Sequence, residues 1–360
     1  MQPTPRLSPR SGLVYSADTG PGITRVRRGR GFEYRRPSGS AVRDASTMRR
    51  IASLAVPPAW THVWINRNPR GHIQATGRDA RGRKQFRYHP LWTAHRDADK
   101  FSHIVGFCRV LPRIRRRVAR DLRAPGLSHE KVIAAIVRLL ESTFIRVGNE
   151  EYASQNGSFG LTTLRRRHAK VRGATIRLSF RGKSGKDVEA EVTDPRVARV
   201  VKRCQELPGQ VLFGYVDENG ERRTVSSEDV NRYLRETTGG DYTAKDFRTW
   251  GGTVLAAVAL RGLEGFESET EAKRNVIAAI DNVARRLGNT RAVARRSYVH
   301  PAVIEAYVEH ELDAHPPVEA AVLEVLRKIP SPRGEEAASR SFGAETRADR
   351  AGRVGARSYS

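Results

Sequence analysis

Cysteine is scarce in this sequence of 360 residues: Cys108 and Cys204 are the only two, and they lie far apart in the chain. Two isolated cysteines exclude a disulfide-stabilised scaffold and a paired-cysteine metal site, and they are typical of a reducing compartment. The ten histidines are not spaced with acids or cysteines as metal ligands would be. We therefore expect no bound metal.

Long apolar runs are also missing. The longest covers residues 254–260, far short of the roughly 18 residues that a membrane-spanning helix needs. The N-terminal residues are rich in proline and arginine and include no apolar segment of the secretory type. We expect neither a membrane span nor a secretory signal, and the Arg- and Ala-rich composition suggests a bacterial cytoplasm.

Acidic residues are few relative to basic ones. The chain has 65 Lys and Arg against 39 Asp and Glu, which gives a formal net charge of +26 and a pI near 11.0. Such an excess predicts a polyanionic partner, with nucleic acid the natural choice. The sequence contains neither a Walker-type phosphate loop nor a carboxylate cluster of the metal-nuclease kind. We expect no nucleotide cofactor.

The pattern along the chain predicts an α+β fold. Residues 1–24 are predicted to be a disordered basic arm, and residues 25–97 a small, mainly antiparallel β N-terminal domain with one helix near 43–54. Its strands are expected near 31–34, 60–65, 72–76 and 84–88. Residues 98–330 are predicted to be a larger, mostly α-helical domain, and residues 331–360 a disordered tail.

The larger domain is expected to carry a short β-hairpin sheet. Residues 174–180 and 187–193 alternate as strands, with a glycine-containing turn at 182–186 between them. Ser128 is predicted to cap a strongly apolar helix. A short strand at 211–216 precedes a run of helices from about 227 to 328, which Pro330 should stop.

Five polar residues of this domain are candidates for chemistry, although each also has an ordinary structural interpretation. Arg146 would be solvated or paired with a glutamate, Lys183 would be exposed on a hairpin tip, and Arg248 would be paired near a helix start. Asn289 would be a helix stop, and Tyr298 would be a core or surface aromatic residue. Their order and context favour a joint role.

The order of these residues resembles that of the type IB DNA topoisomerases. It consists of an arginine, a hairpin lysine, a second arginine, and a polar residue nine positions before a tyrosine. The chain resembles the small bacterial and poxvirus-like members of that family over residues 30–325. The supporting motifs are Val56-Pro-Pro-Ala-Trp60, the basic segment 71–89, Arg146-Val-Gly-Asn-Glu150, segment 156–162, Phe180-Arg-Gly-Lys183 and Ser297-Tyr-Val-His-Pro301. The larger domain would then have the catalytic fold shared by type IB topoisomerases and tyrosine recombinases.

The resemblance implies a role for each of the five residues. Tyr298 would attack a DNA phosphodiester, which leaves a 3′-phosphotyrosyl link and a 5′-hydroxyl strand that can rotate before religation. A phenol with a pKa near 10 is a poor nucleophile at neutral pH, so cations and an acid must assist it. Arg146, Arg248 and Asn289 would clamp the non-bridging oxygens, and Lys183 would be the general acid. Asn289 stands where the family often has histidine, which keeps a donor but removes a titratable group.

A basic strand in the small domain is the expected DNA contact. By resemblance this domain closes over double-stranded DNA opposite the catalytic domain, and a solvated turn is the alternative. Phe86 stands where relatives often have tyrosine, so a hydrogen bond from that ring is lost. The predicted DNA-binding residues are Arg81, Arg83, Lys84, Gln85, Phe86 and Tyr88.

Three other functions have to be weighed. A tyrosine recombinase shares the chemistry, but it usually has histidines around the second arginine, where this chain has Lys245-Asp-Phe-Arg-Thr249. A non-enzymatic DNA-binding protein would have no need of Tyr298 with all its partners. A metal-dependent nuclease would leave broken ends in magnesium. We predict an ATP-independent topoisomerase that acts as a monomer on DNA in the bacterial nucleoid.

Overall fold

The computed structural model describes residues 12–263, 265–312 and 316–328. The chain divides into two compact units, Met1–Lys100 and Phe101–Ser360. The α+β class predicted from the sequence is confirmed, since an antiparallel sheet precedes a largely helical body with small sheets. No helix in the described ranges is both long enough and apolar enough to cross a membrane.

The first unit is built on one five-stranded antiparallel sheet in the order β2-β1-β3-β4-β5. Its helix α1 (Ala45–Ser53) begins where the Asp44 side chain accepts a hydrogen bond from the backbone N–H of Thr47, at 2.9 Å. Apolar side chains from the helix and the strands, such as Ile51 and Ile65, are buried together. The strands are β1 (Ile23–Arg28), β2 (Gly31–Arg35), β3 (Thr61–Ile65), β4 (Ile73–Arg78) and β5 (Lys84–Tyr88).

The sequence assigned residues 1–24 to a disordered arm, and the structure differs for the part that it describes. Val14 forms a parallel bridge with Gly71, the Trp64 indole donates to the carbonyl of Gly20 at 2.9 Å, and β1 begins at Ile23. These contacts are long-range in sequence, so composition alone gave no sign of them. Residues 1–11 lie outside the described part.

The second unit is mainly helical. Helix α2 (Pro90–Asp121) begins in the first unit, before the predicted boundary between the β-rich region 25–97 and the helical region 98–330, and continues into the second unit. The predicted tail 331–360 and Pro330 lie outside the described residues. The remaining helices are α3 (His129–Thr143), α4 (Glu150–Asn156), α5 (Pro195–Glu206), α6 (Ser227–Thr238), α7 (Ala244–Arg261), α8 (Glu269–Leu287), α9 (Arg291–Ser297), α10 (Pro301–Val308) and α11 (Val318–Arg327).

Helix α3 is the centre of the second unit. Ser128 caps it, as predicted, by accepting from the backbone N–H of Lys131 at 3.3 Å. Nine of its residues are buried, so it is apolar on nearly every side and packs against α5, α6 and α7. Because α3 is buried on nearly every side, its C-terminal end is held in place, and so is the start of the segment that carries Arg146.

The predicted hairpin is present as β7 (Thr175–Arg181) and β8 (Asp187–Thr193). A strand that the sequence analysis did not predict, β6 (Ala169–Arg172), extends it to a three-stranded antiparallel sheet. The predicted strand at 211–216 is shorter, β9 (Gly214–Val216), and pairs with β10 (Arg222–Thr224).

Candidate active site

Arg146 lies in the segment that leaves α3. The helix ends at Phe144, whose backbone is left-handed, and the chain then continues through buried Ile145. The Arg146 carbonyl accepts from the backbone N–H of Leu161 at 2.9 Å. A side chain at Gly160 would lie 2.6 Å from that carbonyl, so glycine is needed for this close approach. The backbone of Arg146 is therefore fixed on both sides.

Arg248 lies in the first turns of α7 and is 4% exposed. Its guanidinium donates to two carbonyl oxygens at helix ends, that of Phe144 after α3 and that of Leu287 in α8, the latter at 2.8 Å. Burial lowers its pKa, and so does the charge of Arg146, while Tyr298 opposes the shift. Its Nε is buried without a hydrogen-bond partner among the described residues, which leaves one donor of a fixed cation for an anion.

Asn289 follows the left-handed Gly288 that ends α8. Its backbone N–H donates to the carbonyl of Ala284 at 2.9 Å, and its side-chain Oδ1 accepts from Arg146 Nη2 at 2.9 Å. Its Nδ2 is buried and has no hydrogen-bond partner in the described part of the chain. A buried amide donor without a partner costs about 1–3 kcal/mol, so its presence is more easily explained by a ligand than by the fold.

Tyr298 ends the short helix α9, and its backbone N–H donates to the carbonyl of Ala294 at 3.0 Å. Its own carbonyl accepts from Thr253 Oγ1 at 3.2 Å. A Cβ at Gly252 would lie 2.6 Å from that carbonyl, so α7 and the tyrosine backbone are in close contact. The Arg248 guanidinium carbon lies 5.0 Å from the centre of the Tyr298 ring.

The surroundings of Tyr298 favour its ionised form. Burial alone would raise the pKa of the phenol, but the charge of Arg248 and its hydrogen bond, with the charges of Arg146 and Lys245, outweigh that effect. The net result is a pKa below the ordinary value of 10.0. Nearby cations are the expected means of activating a phenol as a nucleophile.

Lys183 is apart from this cluster. It is exposed in a short turn (Lys183–Gly185) between β7 and β8, and it forms no hydrogen bond or ion pair with the other four candidates in the described ranges. The sheet is linked to the Arg146 segment, because the Phe159 N–H donates to the Arg181 carbonyl at 2.8 Å and Leu161 N–H donates to Arg146. The structure thus brings four of the candidates together and holds the fifth on a linked, projecting turn.

The predicted DNA-binding strand, β5, is an edge strand of the first unit. Lys84, Phe86 and Tyr88 are exposed on one face, where the two rings stack with centroids 5.8 Å apart. The strand alternates, so Gln85 and Arg87 lie on the other face. The exposed face therefore combines a cation with two aromatic rings.

Asp79 organises the turn before β5. It accepts from the backbone N–H groups of Arg81 and Arg83, from Arg83 Nε at 2.9 Å, and from Gln85 Nε2 at 2.9 Å. The hydrogen bond from Arg83 is the main reason why the pKa of Asp79 is lowered to about 2. Arg83 and Gln85 are thus held by the Asp79 carboxylate, and Lys84 is held by that of Asp18, in an ion pair of 2.7 Å.

Two residues of the site were missed by sequence reasoning. Phe144 supplies a carbonyl to Arg248, and Thr253, which is fully buried, contacts the Tyr298 backbone. The adjacent Gly251 and Gly252 inside α7 could have indicated a close approach of another segment. Each glycine inside a helix lowers helix stability by about 1 kcal/mol relative to alanine, so a pair needs a reason. Such a pair indicates that another part of the chain approaches the helix closely.

Two family models and several known proteins match this chain. The family model described as "Eukaryotic DNA topoisomerase I, catalytic core" matches residues 84–316, and that described as "Bacterial DNA topoisomerase IB, N-terminal domain" matches residues 31–79. DNA topoisomerase 1B of Acanthamoeba polyphaga mimivirus is 33% identical over 81% of this chain and 91% of its own length. DNA topoisomerase 1B of Vaccinia virus (strain Copenhagen) is 21% identical over 64% of this chain and 70% of its own.

DNA topoisomerase 1 of Mycosarcoma maydis is 28% identical over 46% of this chain but only 18% of its own length. The catalytic-core model covers more than half of the chain, and the mimivirus relative is 33% identical over 81% of it. The resemblance drawn from the sequence motifs is confirmed, and this chain belongs to the type IB DNA topoisomerase family.

Proposed function

We propose that this protein relaxes positively and negatively supercoiled DNA by cutting one strand through a 3′-phosphotyrosyl intermediate, letting that strand rotate, and resealing it. The observation that carries the proposal is the cluster of Arg146, Arg248 and Asn289 around Tyr298. Two buried donors of the cluster, Arg248 Nε and Asn289 Nδ2, have no partner among the described residues. These are donors that a phosphate could use.

The attack begins at the Tyr298 oxygen, whose proton passes to solvent because the neighbouring cations favour the phenolate. As it bonds to phosphorus, negative charge grows on the two non-bridging oxygens of the phosphodiester. We assign Arg146, Arg248 and the Asn289 amide to stabilise that charge, because donors held in place before the reaction need little reorganisation. Arg248 is suited to this role, since two carbonyl oxygens already fix its orientation. Loss of one such donor typically costs about 10²–10³ in rate.

The leaving 5′-oxygen needs a proton, for which we assign Lys183. An ammonium group on a projecting turn can approach the DNA without disturbing the four clustered residues. The P–O5′ bond breaks as the Tyr298–phosphorus bond forms, and the lysine proton passes to the 5′-oxygen. Religation reverses each step, with the 5′-hydroxyl as nucleophile and Tyr298 as leaving group.

One phosphodiester is exchanged for another, so the bond energy is retained through the cycle. We therefore propose that neither ATP nor a metal ion takes part. One tyrosine acts on one strand, which is compatible with a monomer. The substrate would be duplex DNA of the bacterial nucleoid, attracted by the net charge of +26.

We assign DNA clamping to residues 25–97, which lie within the first unit, and catalysis to residues 98–330. Lys84, Phe86 and Tyr88 share the exposed face of β5 and are suited to a groove. Arg81 and Arg83 in the preceding turn are suited to phosphates. We expect Gln85 to contact a base only if DNA displaces it from Asp79.

Relaxation of plasmids of both supercoil signs, in EDTA and without ATP, tests the proposal. The reaction is stopped with detergent so that any covalent complex is trapped. We expect both plasmids to be relaxed and the protein to be attached to 3′-phosphate ends. Tyr298→Phe should bind DNA as the wild type does but form no adduct. Relaxation by this variant would mean that another residue is the nucleophile.

A further inference from the structure

Phe144 has a backbone conformation that is unusual for a large side chain. It is the residue that ends α3, and its φ of 56° and ψ of 19° lie in the left-handed region. Glycine is the usual residue at such a position, because the left-handed conformation costs other residues roughly 1–2 kcal/mol. Phenylalanine in this place suggests that the surroundings hold the backbone there.

Contacts on several sides hold Phe144. Its N–H donates to the Leu140 carbonyl at 3.0 Å, and the next N–H, of Ile145, donates to Thr143 Oγ1 at 3.2 Å. Its ring lies so close to α7 that a Cβ at Gly251 would overlap it. The ring thus lies against the helix that carries Arg248. A smaller side chain would lose this contact, and a larger residue at 251 would displace the ring.

The left-handed turn has consequences for both arginines of the phosphate cluster. The Phe144 carbonyl accepts a hydrogen bond from Arg248 Nη1, while the Leu287 carbonyl takes Nη2 at 2.8 Å. The same turn sends the chain out of α3 toward Arg146, two residues later. With right-handed dihedrals at Phe144, α3 would continue beyond this residue. The Phe144 carbonyl would then turn away from Arg248, and Arg146 would be displaced from Asn289.

We propose that Phe144 is a positioning residue: its left-handed backbone, held by the ring against Gly251, orients the Arg248 guanidinium and directs the segment that carries Arg146. This inference rests on the proposed function, because its measurable effect is on DNA cleavage. Phe144 itself would touch neither the DNA nor the reacting atoms.

A substitution series at Phe144 separates this role from ordinary core packing. If the left-handed backbone matters, Phe144→Gly and Phe144→Asn should cleave faster than Phe144→Ala and Phe144→Leu, since glycine and asparagine tolerate this conformation best. If only packing matters, the order should follow side-chain volume, with leucine first and glycine last. We expect Phe144→Ala and Phe144→Leu to lose about ten- to a hundredfold in rate.

For each variant we would measure the single-turnover rate of covalent adduct formation on a duplex, together with the DNA dissociation constant and the thermal midpoint. We expect duplex binding to stay within about threefold of wild type, because many cations share it. Phe144→Gly should lose thermal stability because the packing of the ring is gone, and yet it should keep the most activity of the series. Rates that instead follow stability or volume would overturn the inference.

A second test uses Gly251→Ala, alone and combined with Phe144→Gly. The single substitution should slow adduct formation by displacing the ring, whereas in the Phe144→Gly background it should add little, because no ring remains. Gly262→Ala, at the end of the same helix, is the control and should behave as wild type. Equal losses from Gly251→Ala in both backgrounds would contradict the proposal.

The result for the wild-type protein distinguishes failure of the proposed function from failure of the inference about Phe144. If it forms no adduct, the proposed function fails and this inference fails with it. If it forms the adduct while the variants follow side-chain volume, the inference alone is overturned and the proposed function stands.

Discussion

Replacing Asn289 with aspartate should increase stability and slow cleavage at least about a hundredfold. Oδ1 of the side chain accepts from Arg146 Nη2 at 2.9 Å, while Nδ2 is buried without a partner among the described residues. Aspartate has the same shape and keeps the acceptor, but it exchanges the unpaired donor for a carboxylate oxygen. The substitution therefore changes charge and hydrogen bonding at one atom.

The effect on folding should be favourable. An unpaired buried donor costs about 1–3 kcal/mol, and Asn289→Asp removes it while placing a negative charge beside Arg146. Burial of the carboxylate opposes part of this gain. We expect the free energy of unfolding to rise by about 1 kcal/mol, which corresponds to roughly 2–4 °C in the thermal midpoint.

The effect on cleavage should be opposite. Loss of one donor to the developing charge costs about 10²–10³ in rate, and a carboxylate in its place would also repel the phosphate. Adduct formation by Asn289→Asp should therefore fall by at least about a hundredfold. Binding of uncleaved duplex should change little, since it depends on many cations.

Single-turnover cleavage and thermal unfolding, measured on the same preparations, test both effects. Asn289→His is the control and should remain active, because an imidazole N–H restores the donor. Cleavage by Asn289→Asp within about threefold of wild type would refute the assignment of Nδ2 as a phosphate donor. A lower thermal midpoint together with lost cleavage would show that Asn289 acts through the fold.

Three further predictions concern the same chemistry. Because the pKa of Tyr298 is lowered from 10.0, the cleavage rate should rise with pH and level off below pH 10; a rate still rising above pH 10 would contradict the shift. Lys183→Ala should cleave slowly on ordinary DNA but be rescued by a substrate with sulfur at the 5′-bridging position, a leaving group that needs no acid. Lys186→Ala, on the same hairpin, should need no rescue, and failure to rescue Lys183→Ala would move the acid elsewhere. In Gly252→Ala the new Cβ would lie 2.6 Å from the Tyr298 carbonyl, so adduct formation should fall well below that of Gly262→Ala; equal rates would mean that the tyrosine backbone adjusts freely.

The elements of the second unit that follow from local signals could be predicted from the sequence. Ser128 begins α3 as expected, and the turn around Lys183 joins β7 and β8 within a residue of the predicted bounds. Apolar periodicity and glycine-containing turns are properties of short segments, so they can be found without the fold.

The strands that were missed are each one arm of a tight hairpin. Strand β1 turns into β2 at Gly29, and β6 turns into β7 at Gly173, both glycines with left-handed backbone. Strands β1 and β6 each contain only two apolar residues among basic or polar ones, so their apolar alternation is too weak to predict a strand. The start of α2 at Pro90 also lay outside the expected helix, although proline is common in the first turn.

The candidate site shows the same division. The identities of Arg146, Arg248 and Tyr298 came from the order of motifs, but their geometry did not. The carbonyl of Phe144 and the unpaired Nδ2 of Asn289 are properties of the folded backbone and of burial. A sequence gives residue types, whereas these features require coordinates.

The most direct test of the account is identification of the residue that becomes linked to DNA. The trapped complex, formed with an end-labelled duplex, would be digested with protease and nuclease and the nucleotide-bearing peptide sequenced by mass spectrometry. We expect a single modified residue, Tyr298, attached to a 3′-phosphate, with a free 5′-hydroxyl on the other strand end. A modified residue other than Tyr298, or attachment through a 5′-phosphate, would contradict it.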